Sequence, residues 1–286
     1  MTDLRLGLVG AGAVGRLHAE AALRVPGVRV TAVCDPNLDA ARRVADGHGV
    51  DGHGARVHAV HHDLIASGEV DAVVVNTPHA LHTEIVRDAA AAGLHVLVEK
   101  PMATTLADAD LMIAACAAAG VTLAVGHVQR FLPGKAAAMA ALSAGEVGEP
   151  LLLSDRRGSD YRPAARPAWF LDPELSGGGV LINIGAHCVD RLVWLSGRRV
   201  ERVDATVNGS PIETDALVRL VLSGGLTAQL AVTGTGPPPA HDEITVVGER
   251  GTLSISSAAG TALHRDGVTT WLHRPDPGDI PGAFAA

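Results

Sequence analysis

The segment 10–15 reads Gly-Ala-Gly-Ala-Val-Gly and stands directly after a short apolar run, Leu4 to Val9. An alanine-rich stretch of helical length follows it. Glycines at these spacings allow a tight turn from a strand into a helix whose first N–H groups can meet a pyrophosphate. Alone the motif is a weak signal, but between a strand and a helix it predicts a dinucleotide-binding α/β fold.

The second apolar run, Val28 to Cys34, ends at Asp35, which comes 20 residues after Gly15. A carboxylate at this position can accept hydrogen bonds from an adenosine ribose, and it would repel a 2′-phosphate. NAD is therefore favoured over NADP, although Arg42 and Arg43 could reach back from the next helix instead of forming a solvated face. The predicted cofactor-binding residues of this region are Gly10, Gly12, Ala13, Val14, Gly15 and Asp35.

The pattern of predicted strands and helices changes along the chain and predicts two domains, 1–126 and 127–286. In the first, β-branched runs alternate with alanine-rich helical stretches, which is typical of a doubly wound parallel sheet, a Rossmann domain. In the second, longer alternating strands such as Ala216 to Leu222 and Leu226 to Val232 are joined through Ser223-Gly224-Gly225 as a hairpin. The fold class is therefore α/β, with a C-terminal α+β domain whose sheet is mostly antiparallel. One helix, over 176–196, interrupts that domain.

Lys100 is one of only two lysines among 23 basic residues, and it stands in Glu99-Lys100-Pro101 at the end of a predicted strand. A lysine can be shifted into acid or base work, whereas an arginine stays charged. The Lys100–Pro101 bond is a candidate cis peptide. Glu99 could bind the nicotinamide ribose or pair with Lys100, and the alternative is an ordinary surface lysine.

An earlier strand end, 76–82, reads Asn-Thr-Pro-His-Ala-Leu-His. Ligands of open α/β sheets collect at such ends, so Thr77, Pro78 and His82 are predicted to contact the cofactor. His79 or His82 could also be a base, but a capping or surface histidine is the commoner case.

The interrupting helix carries Asn183 and His187, which are four residues apart and therefore share one face. Asp190 is expected close enough to orient the imidazole. The alternative is a histidine satisfied inside a packing face. Just before this helix, Tyr161, Arg162, Arg166 and Trp169 belong to a loop suited to sugar rings and anions, or to a mobile surface loop.

Composition excludes several classes of function. The net charge of −8 without a basic tract argues against nucleic acid or an anionic membrane as partner. Three scattered cysteines without a CxxC fit a reducing cytoplasm, and no apolar run is long enough to span a membrane. A tandem repeat, Asp46 to Val50 and Asp51 to Ala55, with His58, His61 and His62 behind it, could bind metal. A repeat-born insertion is favoured, so no metal site is predicted.

The chain resembles the glucose-fructose oxidoreductase, inositol dehydrogenase and MocA family over nearly its whole length. The matching segments are the glycine fingerprint, Glu99-Lys100-Pro101, 126–131 (Gly-His-Val-Gln-Arg-Phe), and 177–179 leading into Asn183, His187 and Asp190. The resemblance implies an open C-terminal sheet, a homo-oligomer (dimer or tetramer), and hydride transfer between NAD(P) and a sugar, inositol or other polyol carbinol. Lys100 would be the active-site lysine and His187 the proton-transferring histidine. Substrate contacts are expected from Lys100, His127, Arg130, Tyr161, Trp169, Asn183 and His187.

Two departures from the family pattern stand out. Many members carry an aspartate where this chain has Asn183, and an amide cannot take a proton. His187 is then the expected general acid/base and Lys100 the group that polarises the oxygen, with Asn183 positioning substrate. The chain also stops at Ala286, where members usually continue. A redox-neutral NAD-dependent glycosidase and a non-catalytic NAD or sugar sensor are the alternatives.

Overall fold

A computed structural model describes residues 3–47, 54–162, 165–234 and 241–286. The chain divides into two compact units, residues 1–126 together with 284–286, and residues 127–283. Each unit is built around one sheet.

The first unit holds a six-stranded parallel sheet in the order β3-β2-β1-β4-β5-β6. Its strands are β1 (Leu4–Val9), β2 (Val28–Cys34), β3 (Arg56–His58), β4 (Ala72–Val75), β5 (His95–Glu99) and β6 (Leu123–Gly126). The helices are α1 (Ala13–Ala22), α2 (Leu38–Ala45), α3 (His61–Ala66), α4 (His82–Ala91) and α5 (Leu106–Ala119). Strand order reverses between β1 and β4, which makes their carboxyl ends the topological switch point where ligands of such sheets bind.

The two ends of α5 are set by a capping side chain and by a glycine. Thr105 begins α5 because its hydroxyl accepts the Asp108 N–H at 3.1 Å, and Gly120 ends it in the left-handed conformation, at φ 69°. The strand β4 reads Ala-Val-Val-Val and all four residues are buried, as expected where helices cover a parallel sheet on both faces.

The short elements β3 and α3 were not predicted from the sequence. A three-residue strand and a six-residue helix carry too little periodicity to be recognised, and they follow directly on the glycine-rich repeat. Most of that repeat, residues 48–53, lies outside the described residues.

The second unit holds an eight-stranded sheet in the order β14-β13-β12-β11-β7-β10-β9-β8. Its strands are β7 (Pro150–Gly158), β8 (Val200–Asn208), β9 (Asp215–Leu222), β10 (Thr227–Thr233), β11 (Asp242–Gly248), β12 (Thr252–Ser256), β13 (Gly260–Arg265) and β14 (Val268–His273). These neighbours pair antiparallel except β7 with β10. The predicted hairpin of β9 and β10 forms through 223–225, and the predicted fold class is confirmed.

The helices of this part of the chain are α6 (Pro133–Ser143), α7 (Pro173–Ser176), α8 (Ala186–Ser196) and α9 (Asp279–Ala285). A π-helical turn, Leu181–Gly185, leads into α8, so the predicted single α-helix over 176–196 is divided. Cys188 and Leu192 of α8 are fully buried in the same core as Leu230 of the sheet. In the part of the chain that the structure describes, no helix is long and apolar enough to cross a membrane.

Candidate active site

The glycine turn has the geometry of a phosphate-binding loop, and its three glycines do different work. Gly10 is at φ 102°, where a side chain would be strained. A Cβ on Gly15 would lie 2.1 Å from the Gly10 carbonyl oxygen, so this glycine lets α1 approach the turn. A Cβ on Gly12 would meet nothing within 4 Å. Neither packing nor backbone conformation requires a glycine at position 12. The feature that sets Gly12 apart from Gly10 and Gly15 is the open space in front of α1.

The amino end of α1 is open to an anion. Gly12 is its N-cap, and no side chain caps the helix there. Ala13 and Val14, in the first turn, are exposed. Unpaired N–H groups at a helix start attract phosphate oxygens, so this end of the helix can hold a pyrophosphate.

Asp35 ties the second strand to this turn. One carboxylate oxygen accepts the Ala11 N–H at 2.8 Å, and the other accepts the Asn37 N–H at 2.8 Å. The remaining lone pairs can accept ribose hydroxyls, while the negative charge opposes a 2′-phosphate. Arg42, which could have offset that charge, bonds Asp39 at 2.9 Å instead.

Two buried polar atoms lie at the end of β4. Among the described residues, Asn76 Oδ1 and Thr77 Oγ1 are buried without a hydrogen-bond partner. The Asn76 carbonyl lies 2.7 Å from where a Cβ on Gly10 would stand, so this strand end adjoins the glycine turn. Orphaned polar atoms are costly unless a ligand or water satisfies them. Together with the open space at Gly12, they fit a bound dinucleotide.

Lys100 is half-buried at the end of β5, and its bond to Pro101 is cis, as predicted. The Glu99 side chain does not point outward as a ribose ligand. It is only 9% exposed, one oxygen lies 2.9 Å from His18 Nε2, and the other accepts the Lys100 backbone N–H at 3.2 Å. Glu99 therefore links α1 to the strand end that carries the lysine. The sequence offered no signal for His18.

His82 differs from its predicted part as a cofactor contact, because its ring is completely buried. Its Nε2 lies 3.0 Å from the Thr77 carbonyl oxygen, and its Nδ1 lies 3.1 Å from that of Pro101 and 3.3 Å from that of Met102. Burial lowers the pKa of His82 below its ordinary value, although the carbonyl contacts oppose the shift. The ring joins the loop after β4 to the loop after Lys100.

Asn183 and His187 are both buried, at 5% and 7% exposure. Asn183 lies in the π-helical turn and forms a side-chain hydrogen bond with Tyr161. His187 is the second residue of α8. A π-helical turn carries one more residue than an α-helical one and is frequent at functional sites.

The glycines before this turn serve packing and helix capping rather than anion binding. A Cβ on Gly179 would lie 1.9 Å from the Glu213 carbonyl oxygen. That close approach lets the Glu213 carboxylate accept the N–H groups of Leu181 and Ile182 at 3.0 and 3.4 Å. Glu213 thereby caps the segment that carries Asn183.

Asp190 does not serve as the expected orienting partner of His187. Its carboxylate receives two hydrogen bonds from Arg130 Nε, at 3.1 and 3.2 Å, and one from a terminal nitrogen. His127 Nδ1 lies 3.5 Å from the same carboxylate. The predicted substrate residues Arg130 and His127 are thus gathered around Asp190, because a guanidinium competes better for a carboxylate than an imidazole does.

The loop before the helix is partly a packed structure. Tyr161 is 3% exposed, and its hydroxyl donates to the Gly179 carbonyl at 3.3 Å, so the prediction that it contacts substrate is not supported. Burial raises the pKa of the Tyr161 phenol, although its hydrogen bond with Asn183 opposes the shift. Arg166 stacks on the rings of Tyr161 and Phe170, and Arg162 pairs with Asp160. Trp169 remains partly exposed.

A buried ion network lies beneath α8, and no pattern in the sequence predicts it. Arg191 is completely buried and bonds both oxygens of Asp155 at 2.6 Å and one of Asp242 at 2.5 Å. Lys135, the second lysine, is 4% exposed and donates to Asp242 at 3.1 Å. Burial lowers the pKa of Lys135, whereas Arg191 and Lys135 hold that of Asp242 below its usual range against the opposing effect of burial.

Comparison with known protein families matches two parts of the chain to the same family. Residues 4–127 match the GFO/IDH/MocA oxidoreductase family with its NAD-binding Rossmann fold, and residues 136–254 match the GFO/IDH/MocA C-terminal domain.

Individual relatives are similar to this chain over most of its length. The rhizopine catabolism protein MocA of Rhizobium meliloti is 33% identical over 83% of this chain and 74% of its own length. An inositol 2-dehydrogenase of Rubrobacter xylanophilus is 30% identical over 92% of this chain and 74% of its own. Among solved structures, the WlbA dehydrogenase of Bordetella pertussis, in complex with NADH and UDP-GlcNAcA, superposes with a TM-score of 0.84 at 29% identity, covering 99% of this chain and 82% of that one.

Proposed function

Because the chain belongs to the GFO/IDH/MocA family of NAD-binding oxidoreductases, we propose that it oxidises or reduces a carbinol of a sugar, inositol or related polyol. The observation that carries the proposal is the strand-end Lys100, in the same unit as a glycine turn and the carboxylate of Asp35 that accepts a hydrogen bond from that turn. The relatives named for inositol and for nucleotide-sugar complexes support a polyhydroxylated substrate.

The chemistry that NAD supplies when bound is acceptance of a hydride at the nicotinamide ring. Lys100 contributes a fixed positive charge that polarises the substrate oxygen and stabilises negative charge developing on it. His187 takes the hydroxyl proton in oxidation and returns it in reduction, since an imidazole titrates near neutral pH. Asn183, which cannot exchange a proton, positions the substrate by hydrogen bonds.

A homo-oligomer is part of the same proposal. One face of the eight-stranded sheet packs against the core that includes α8, and residues on alternate positions of the other face are exposed, among them Leu217 at 58% and Leu152 at 39%. An open sheet face with exposed leucines favours self-association. Light scattering after size exclusion measures the subunit count, and a monomer at micromolar concentration would contradict this part.

The activity is tested by following NADH absorbance with inositols, aldoses, sugar acids and nucleotide sugars, with NAD and NADP in parallel. Lys100→Met keeps the aliphatic stem and removes the charge, so we expect kcat to fall on the order of 100-fold while NAD affinity is retained. His187→Ala should behave alike. Arg24→Ala, an exposed cation of the first unit, is the control. Wild-type turnover in either variant would refute the assignment.

The same assay separates the alternatives. A redox-neutral glycosidase releases product without net NADH, whereas the proposed dehydrogenase forms NADH in step with product. A sensor binds NAD tightly and turns over no polyol. The replacement of the family aspartate by Asn183 is the feature that favours a sensor, and retention of both Lys100 and His187 opposes it.

A further inference from the structure

Four potential metal ligands of the first unit converge between α3 and α4. His61 and His62 begin α3, while Glu84 and Asp88 lie one turn apart on α4. One donor atom from each of the four lies within 4.8 Å of the others. The tandem repeat, residues 46–55, supplies none of these four.

The two imidazoles point to a single oxygen. His61 Nε2 lies 2.9 Å and His62 Nε2 3.2 Å from Asp88 Oδ2, and the two ring centroids are 4.0 Å apart. Successive residues of a helix ordinarily project about 100° apart. Convergence of two neighbouring side chains on one carboxylate therefore gives these residues the arrangement of a chelate.

We propose that His61, His62, Asp88 and Glu84 bind one divalent first-row transition-metal ion, such as zinc or nickel. Two carboxylates balance the charge of the ion, and imidazole nitrogens select zinc, nickel or copper over magnesium and calcium, which prefer oxygen ligands.

The distances suit such an ion. Ligand atoms about 2.0–2.2 Å from a tetrahedral zinc stand about 3.4 Å from one another. The two histidine nitrogens are already within 3.2 Å of the Asp88 oxygen, and the exposed Glu84 can complete the set by rotating its side chain.

The site joins α3 to α4, so the ion acts as a cross-link between two helices of the parallel-sheet unit. His61 and Asp88 are partly buried, whereas the side chain of His62 is 64% exposed. An ion held from one open side exchanges with solvent, and by mass action it raises the stability of the folded chain with the logarithm of its free concentration once that exceeds Kd. This inference does not depend on the proposed dehydrogenase activity.

The test uses full-length protein without a histidine tag, stripped of metal with a chelator. Zinc chloride and nickel chloride are titrated calorimetrically and in competition with a chromophoric chelator, and thermal unfolding is followed with and without zinc. We expect one equivalent of tightly bound metal and a zinc-dependent rise in Tm. Asp88→Asn, which keeps the shape of the side chain, and His62→Ala, at an exposed position, should each weaken binding on the order of 100-fold and abolish the shift in Tm.

A double variant of the repeat, His48→Ala with His53→Ala, is the matched control because it removes two histidines from the preceding segment. It should bind metal like the wild type. Binding that survives in Asp88→Asn and His62→Ala, or that is lost only in the repeat variant, would overturn the proposal. So would the absence of stoichiometric binding at micromolar metal.

Discussion

The completely buried ring of His82 contacts the loop after β4 and the loop after Lys100. Two substitutions of this residue can each remove one of these contacts and keep the other. In His82→Asn the amide takes the place of Nδ1 and keeps the contact to the Pro101 carbonyl, 3.1 Å away in the native protein. In His82→Gln the amide takes the place of Nε2 and keeps the contact to the Thr77 carbonyl, 3.0 Å away. The pair of variants thus tests whether the histidine matters for the lysine loop or only for stability.

Each variant gives up one side of the bridge. A neutral imidazole carries one N–H, so the ring donates a hydrogen bond on one side and only contacts the carbonyl on the other. A buried hydrogen bond is worth about 0.5–1.5 kcal/mol and a buried carbonyl left unpaired costs about 1–3 kcal/mol, so each variant should lose up to about 3 kcal/mol in free energy of unfolding. Only His82→Gln releases the loop that follows Lys100. We expect its kcat to fall on the order of tenfold, about 1.4 kcal/mol in activation free energy, while His82→Asn stays near wild type.

Urea denaturation gives the stability of each variant, steady-state kinetics give kcat, and fluorescence titration gives NAD affinity, which should change little in either. Equal kcat in the two variants would refute the positioning role, because a merely structural histidine predicts that activity follows stability. A pH series adds an independent readout. Since the folded chain lowers the pKa of His82, its stabilising contribution is present above about pH 6.5 and declines as the pH falls below that value, and His82→Asn should reduce this slope.

Three further predictions follow from the geometry of single residues. Gly12→Val should raise the Kd for NAD at least tenfold with little change in the free energy of unfolding. Gly15→Val, whose Cβ would lie 2.1 Å from the Gly10 carbonyl oxygen, should lose at least about 1–3 kcal/mol of stability. Equal destabilisation by the two substitutions would contradict this difference. Asp35→Ser removes the charge opposed to a 2′-phosphate, so the ratio of kcat/KM for NADP to that for NAD should rise about tenfold or more. Asp242→Asn should cost about 3–5 kcal/mol at pH 7 because it leaves the buried Lys135 without its carboxylate and Arg191 with Asp155 alone. The folded chain lowers the pKa of Asp242, so the contribution of its charge is present above about pH 3.8 and lost as the pH falls; urea titrations of both proteins at pH 3–7 should show their difference shrinking.

The sequence predicts the core of the parallel sheet well because its signals are local. The strands Leu4–Val9 and Val28–Cys34 have the predicted bounds, since apolar runs lead directly into the glycine turn and Asp35. Other elements are not bounded by such recognisable residues. Only a three-residue strand, Arg56–His58, and the short α3 lie between the repeat and the next predicted strand, and neither has a hydrophobic period.

At the site, residue type and spacing indicate which groups matter but not which neighbours they find. Asp190 stands three residues after His187, and helical spacing alone would join them. Arg130 offers a bidentate donor from a distant segment, and it takes the carboxylate instead. Tyr161 and His82 likewise appear as polar groups available to a ligand, whereas tertiary packing places both in the interior. Long-range competition of this kind has no signature in one sequence.

Lys135 is sequestered in an ion network, and this has a practical consequence for labelling the protein. Of the two lysines, Lys135 is 4% exposed, whereas Lys100 is partly exposed and is therefore the expected site of acylation. Amine-directed modification of the native chain should therefore be nearly site-specific, apart from the amino terminus. Protection of Lys100 by added nucleotide, read by mass spectrometry of its peptide, would report occupancy of the cofactor cleft without any knowledge of the substrate.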